Sequence, residues 1–269
     1  MVLRAMLLAL VISIVTCPLV AAQEQLELRA CRAITYDPSQ QTVMQFERET
    51  FPPFADTGLF ESQGEQLLYV ERGQLTLFSD RSDAVPAGQD ESFIAPPNSV
   101  FGVLNENPSQ DASLLWLRLG QSSQLAEPLA FLAPSALRTL TGMVQDEPPQ
   151  PLFIEFSVPE IERNTSITMF IAAMNIAPSG TLLPADLGSS QSLTTTGRIA
   201  VVVESGQVEI VDGLPLSVAQ GEWIALDGDL PHAIRNPSDS EVATGFIVGL
   251  VEYQDSGWIS AELSLSDCQ

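Results

Sequence analysis

The chain has no lysine, a single histidine and only three cysteines in 269 residues. All 11 basic residues are therefore arginine, set against 34 acids for a formal charge of −23. Such a surface repels phosphate backbones and anionic headgroups, which excludes nucleic acid and lipid surfaces as expected partners. Long runs of like charge are absent, so the acidity reads as solubility and not as disorder. No Cys-x-x-Cys pair, phosphate loop, dinucleotide fingerprint or Gly-x-Ser-x-Gly elbow is present, which removes the common redox, nucleotide-binding and serine-hydrolase readings.

Long apolar runs are scarce as well. The one at the start, "AMLLALVISIVTCPLV", follows Arg4 and leads into "VAA". This pattern predicts a signal peptide over 1–22, cleaved after Ala22. The run is short for a retained anchor and no basic stop signal follows it. Lipidation at Cys17 is opposed by Thr16 before it and by the apolar "PLVAA" after it. The expected location is outside the cytoplasm, extracellular or periplasmic, with no membrane contact after cleavage. Two cysteines then remain, Cys31 and Cys268, and in an exported protein such a pair predicts a disulfide tying the two ends together. In the entropic model a loop that long stabilises by roughly 4–5 kcal/mol.

The chain also repeats itself. "LLYVERGQLTLF" (67–78) and "AVVVESGQVEIV" (200–211) share a Val-Glu-x-Gly-Gln centre, an apolar strand turning at a glycine into an alternating strand. Gly73 and Gly206 suit a hairpin that needs positive φ. Gly88 and Gly221 each follow 15 residues later and open a further strand. On that alignment the first copy carries two extra residues between its second glycine and "FGVLN" (101–105), the counterpart of "HAIRN" (232–236). Each copy closes on an apolar strand, "ASLLWLRLG" or "EVATGFIVGLV". Short strands, Gly/Pro turns and little helical periodicity predict an all-β chain. Between the copies, "SSQLAEPLAFLAPSALRTL" is partly helix-compatible and "QDEPPQP" reads as a linker.

At these residues the chain resembles the cupin superfamily, and its duplication resembles a bicupin. "EQLLYVERG" and "RIAVVVESG" match the end of the family's first motif. Gly221, His232 and Asn236 match the glycine–histidine–asparagine spacing of its second, with Asp227 and Asp229 where proline and glycine are usual. In the first copy Pro96 and Asn105 match, but Phe101 takes the histidine place. The resemblance implies two tandem cupin-type jelly-roll β-barrels with a short, partly helical linker. The expected division is 23–120 for the first domain, 121–150 for the linker and 151–269 for the second.

Metal-dependent cupins hold an ion with two histidines and a glutamate from the first motif and the histidine of the second. Here the glutamate place is Gln66 in the first copy and Ile199 in the second. The paired histidines would fall in "LFES" (59–62) and "SLTT" (192–195), which contain none. The first copy thus lacks all four ligands and the second keeps only His232, the sole metal candidate. A transition ion needs three or more oriented ligands, so no metal and no cofactor is expected. A carboxylate site built from Glu61, Glu65 or Asp186 would suit calcium or magnesium, but their spacing does not demand it.

Strand alternation puts His232, Ile234 and Asn236 on one face, and Phe101, Val103 and Asn105 on the matching one, both turned into their barrels. His232 reads as an interior histidine with a hydrogen-bond partner, as a wall of a metal-free pocket, or as a ligand or proton shuttle. His232, Asn236 and Phe101 are the candidate ligand-binding residues, although asparagine at a strand end also serves as a turn former. Trp116, Trp223 and Trp258 suit core packing or a stacking surface. "NTS" (164–166) is a sequon that matters only in a glycosylating host.

The first expectation is an exported bicupin-like protein without a complete metal site, binding a small molecule or partner protein or acting as a scaffold, and able to pair with itself. The alternative is a metal-dependent bicupin enzyme, an oxygenase, decarboxylase or isomerase, that uses His232.

Overall fold

The computed structural model describes residues 25–35, 42–62, 64–79, 84–121, 152–158, 166–182, 197–211, 215–227, 233–252 and 268. The signal segment 1–22, the linker beyond Gln121, Asp186, Asp229, His232, Trp258 and the sequon's Asn164 lie outside the described residues. All regular structure among the described residues is β, as the alternating patterns and glycine turns require.

The first repeat contributes β1 (Gln25–Thr35), β2 (Thr42–Phe51), β3 (Phe60–Glu61), β4 (Glu65–Arg72), β5 (Gln74–Ser79), β6 (Val85–Gly88), β7 (Ser92–Ala95), β8 (Val100–Leu104) and β9 (Ala112–Gln121). The second contributes β10 (Leu152–Ser157), β11 (Ser166–Ile176), β12 (Thr181–Leu182), β13 (Gly197–Ser205), β14 (Gln207–Val211), β15 (Leu216–Ala219), β16 (Trp223–Asp227), β17 (Ala233–Arg235) and β18 (Ala243–Glu252). Each barrel pairs a five-stranded sheet with a four-stranded one. The first has order β10-β2-β9-β4-β7 against β3-β8-β5-β6, the second β1-β11-β18-β13-β16 against β12-β17-β14-β15. Strand for strand the two orders are the same, the jelly-roll arrangement expected of a duplicated cupin-type chain.

The outermost strands cross between the repeats. β1 pairs with β11 in the second barrel, and β10 pairs with β2 in the first. A sequence boundary therefore separates the two sets of strands everywhere except at these edges. Which sheet an edge strand joins depends on hydrogen-bond partners far away in the chain, and local alternation does not specify them.

The two five-stranded sheets pack face to face. Met44, Phe46, Leu67, Tyr69, Leu115 and Leu117 of the first meet Ile167, Met169, Ile171, Val202, Phe246 and Val248 of the second in one continuous core. Phe46 and Phe246 touch edge to face across it, with centroids 5.7 Å apart. Each barrel then has its own interior. Phe51, Leu68, Val70, Leu114 and Trp116 fill the first, and Phe170, Ile199, Val201, Ile234 and Ile247 fill the second. Both faces of the inner strands of the large sheets are thus buried, so alternation along them separates two interiors and not core from water.

The turns correct one detail of the repeat alignment. Gly73 and Gly206 do adopt positive φ (81° and 75°), as their hairpins need. The counterpart of Gly221 (φ 79°), however, is Asp90 (φ 68°) and not Gly88. Asp90 N bonds Val70 O and Gly221 N bonds Val203 O, at 2.9 and 2.8 Å. The two-residue difference therefore lies before this turn, between β5 and β6, where a hairpin end tolerates insertion without disturbing the sheet. Glycine identity misled the alignment because aspartate also tolerates the left-handed region.

Candidate functional site

β3, β4 and β8 bring together the places that the resemblance assigns to a metal in the first barrel. Phe60, from the "LFES" stretch, pairs with Phe101 on β8, opposite it in register. Their ring centroids lie 4.5 Å apart, and both contact the fully buried Trp116, at 5.6 and 6.2 Å. Gln66, in the glutamate place, is buried, and its Oε1 accepts the Trp116 indole N–H at 2.9 Å. Phe101 therefore does point inward, as strand alternation requires. What converges there is three aromatic rings and one amide oxygen already bonded to an indole. That donor set fits no metal ion, since rings supply no lone pair and the amide oxygen is engaged.

Glu65 cannot substitute for Gln66. It shares the face of Leu67 and Tyr69, which looks toward the other barrel, so its carboxylate lies on the far side of the sheet from the aromatic cluster. Burial pushes its pKa up, opposed by the Arg32 charge. Glu61 is exposed. Among the described residues no group of three His, Cys, Asp or Glu side chains could hold a metal. In the second barrel Ile199, at the glutamate place, is buried in the apolar interior.

Asn105 and Asn236 occupy matching positions and do matching work. Asn105 Nδ2 donates to the carbonyls of Phe51, Pro52 and Gln110 at 2.8, 3.2 and 2.9 Å, and its Oδ1 accepts from Asn107 N. Asn236 Nδ2 donates to Ile176, Ala177 and Glu241 at 3.0, 3.2 and 2.7 Å, and its Oδ1 accepts from Ser238 N. Each amide ties the end of a long strand to the loop that enters the next, and both are fully buried. The family's asparagine is thus a fold clamp here, with its hydrogen-bonding capacity spent on backbone.

Beside the aromatic cluster a cavity of about 490 Å³ opens at the edge of the first barrel. Leu77, Ile94, Pro96, Pro97 and Val100 give it an apolar wall, Ser79, Asn98 and Ser99 add polar points, and Phe101 lies at its inner end. A pocket of this size and lining suits a small, mainly apolar ligand with a few hydrogen-bonding groups.

The sequence reading missed a second set of residues inside this barrel. Register aligns Glu155, Gln45, Arg118 and Gln66 in one row across β10, β2, β9 and β4. Arg118 forms a buried ion pair with Glu47 and stacks over Trp116, its guanidinium carbon 5.3 Å from the ring centroid. Gln45 Nε2 donates to Glu155 Oε2 at 2.6 Å. Burial pushes Glu47 up and Arg118 down in pKa, each opposed by the charge of the other. Glu49, two residues along the same face, is raised to about 7 by burial first and by Glu47 second, against the pull of Arg118. The signal was the alternation in "TVMQFERETF", which reads as an apolar-in, polar-out strand. The usual reading assigns the polar face to water, whereas here it faces a barrel interior.

A third polar group joins the barrels. The Arg48 guanidinium is held by Glu71 of the first repeat and Glu204 of the second, the two glutamates of the Val-Glu-x-Gly centres. Ser113 Oγ also donates to Glu71 at 3.1 Å, and Arg48 lies 5.5 Å from the Phe246 ring centroid. Trp223 is partly exposed at the sheet edge near Phe156. Cys31 and Cys268 are bridged, with their Cα atoms 5.4 Å apart, so the end of the chain is fastened to β1.

No family model matches this chain, and no curated protein does. Solved structures similar to it include the protein YhaK from Escherichia coli, at 10% identity over 84% of this chain and 94% of that one, with a TM-score of 0.48. A mutant of oxalate decarboxylase from Bacillus subtilis is 11% identical over 87% and 79%, with a TM-score of 0.46. A cupin 2 conserved barrel domain protein from Leptotrichia buccalis is 12% identical over 85% and 89%, with a TM-score of 0.36. The cupin-type fold itself rests on the duplicated strand order.

Proposed function

We propose that this chain is an exported, two-barrel cupin-like protein that binds a small molecule without a metal ion. The observation that supports the metal-free reading is the closure of the first barrel's metal position by Phe60, Phe101, Trp116 and Gln66. Building such a cluster into the place of a metal spends buried volume on packing and leaves no open coordination position. The cavity that ends at Phe101 supplies the surface for a mainly apolar ligand, with Ser79, Asn98 and Ser99 as its hydrogen-bonding points.

Two measurements test this reading. The mature chain, purified without a histidine tag, is expected to carry no stoichiometric transition metal by elemental analysis. One iron, manganese, copper, nickel or zinc per chain would overturn the metal-free reading in favour of an enzyme that uses His232. An uncharged apolar fluorescent dye, Nile red, is expected to bind the folded chain and to bind Ile94→Asp less, because that substitution places a charge in the cavity wall. Equal dye binding by both proteins would remove the cavity as the binding surface.

A further inference from the structure

The charge row inside the first barrel has no counterpart in the second, and the duplication makes that comparison an internal control. The row Glu155–Gln45–Arg118–Gln66 becomes Cys31–Phe170–Gly249–Ile199 in the second barrel. By the same register Glu47 becomes Ala172 and Glu49 becomes Met174. A barrel of this strand order therefore closes with no charge at these positions, and the fold does not require the charges. Burying an arginine and a carboxylate, with a second carboxylate half-buried beside them, where apolar side chains would serve costs desolvation, so their presence calls for a role other than packing.

The stoichiometry of the cluster suggests the role. Glu47 and Glu49 share one face of β2; Glu47 pairs with the guanidinium of Arg118 on β9, and Glu49, one step further along, is within reach of that charge. Glu155 on β10 adds a third carboxylate to this face, on Gln45. β4 contributes the neutral Gln66, and the opposite sheet contributes Phe60, Phe101, Val103, Leu75 and Ala87, with no charge among the described residues. One buried cation cannot fully neutralise two neighbouring carboxylates, so the cluster is at rest only when one of them holds a proton. Arg118 Nε is buried with no partner among the described residues, which leaves the guanidinium one unspent donor with which to follow a change of charge.

We infer that Glu47, Glu49 and Arg118 form a proton-binding site that is mechanically linked, through Arg118 stacked on Trp116, to the aromatic cluster closing the first barrel. When Glu49 loses its proton it competes with Glu47 for the guanidinium. Any shift of that group is felt by the Trp116 ring it covers, and from there by Phe60, Phe101 and the Gln66 bond. The burial-raised affinity of Glu49 places the change close to neutral pH. The site stands whether or not the cavity beside Phe101 binds a ligand.

The test is the indole N–H resonance of Trp116 in the full chain, assigned by its loss in Trp116→Phe and followed from about pH 5 to about pH 9, either side of the expected midpoint. The wild type is expected to show one sigmoidal shift with a midpoint near 7. Glu49→Gln is expected to abolish the shift, and the exposed control Glu27→Gln to leave it unchanged. Glu47→Gln, which frees Arg118 for Glu49, is expected to lower the midpoint by about one pH unit. A flat wild-type curve overturns the proposal even if a variant fails to fold. It is also overturned by a curve that survives Glu49→Gln, or by a midpoint that Glu47→Gln leaves in place.

Discussion

Trp116 on β9 donates its indole N–H to Gln66 on β4 across 2.9 Å, and that bond sits where the resemblance would put a metal-bound glutamate. The tryptophan is both the largest buried side chain of the barrel and the donor that occupies the amide. Trp116→Ala is expected to cost about 3–5 kcal/mol of stability through cavity formation. Gln66→Leu, which orphans the buried indole N–H, is expected to cost about 1–3 kcal/mol. Denaturant unfolding monitored by circular dichroism checks both, and a loss below 1 kcal/mol for Trp116→Ala would contradict the packing described.

The paired asparagines predict paired losses. Asn105→Asp and Asn236→Asp each replace a three-carbonyl donor by an anion facing the same carbonyl oxygens, and each is expected to be more damaging than the corresponding alanine. The alanine variants themselves are expected to cost about 1–3 kcal/mol each, because buried backbone acceptors lose their donor. Thermal unfolding of the four variants checks the order. A neutral Asn236→Asp would show that the clamp in the second barrel is dispensable.

Arg48 joins two glutamates that the repeats hold in common, so its loss leaves two carboxylates facing each other between the barrels. Arg48→Met is expected to destabilise by about 3 kcal/mol, the lower end for a broken buried pair because both glutamates are partly exposed. Adding Glu71→Gln and Glu204→Gln to Arg48→Met is expected to recover much of that loss. Equilibrium unfolding of the single and triple variants measures it, and no recovery would place the cost in packing against Phe246 instead of in charge.

Glu49 gives stability a pH dependence of definite sign. Its folded pKa of about 7 lies above the ordinary 4.5, so the folded chain holds this proton more tightly than the unfolded one. Its contribution is therefore fully present below pH 4.5 and is lost as pH rises from there through 7. The melting temperature of Glu49→Gln is expected to exceed that of the wild type at pH 8 and to match it at about pH 4, below the unfolded pKa. The opposite order would mean that Glu49 is held as a carboxylate.

The Cys31–Cys268 bridge closes a loop spanning 237 residues. Reduction is expected to lower stability by up to roughly 4–5 kcal/mol. A non-reducing mass two hydrogens above the oxidised value would show both thiols free and exclude the bridge.

By itself the sequence determined the class of fold and the way the chain is duplicated. Alternation, the Val-Glu-x-Gly-Gln centres and the positive-φ glycines are local, because a strand's period and a hairpin's turn are properties of neighbouring residues. It also made the absence of ligands in the first barrel legible, since Gln66 and Phe101 could be read against their expected partners, and it turned Phe101 inward correctly. Only tertiary structure decided which sheet the edge strands β1 and β10 would join, that Asp90 and not Gly88 answers to Gly221, and that Phe60, Phe101 and Trp116 would meet. Only tertiary structure, too, turned the polar face of "TVMQFERETF" into a barrel interior and paired Arg118 with Glu47 there. These relationships join residues far apart in the chain, and alternation tells only that a strand has two faces, not what each one meets.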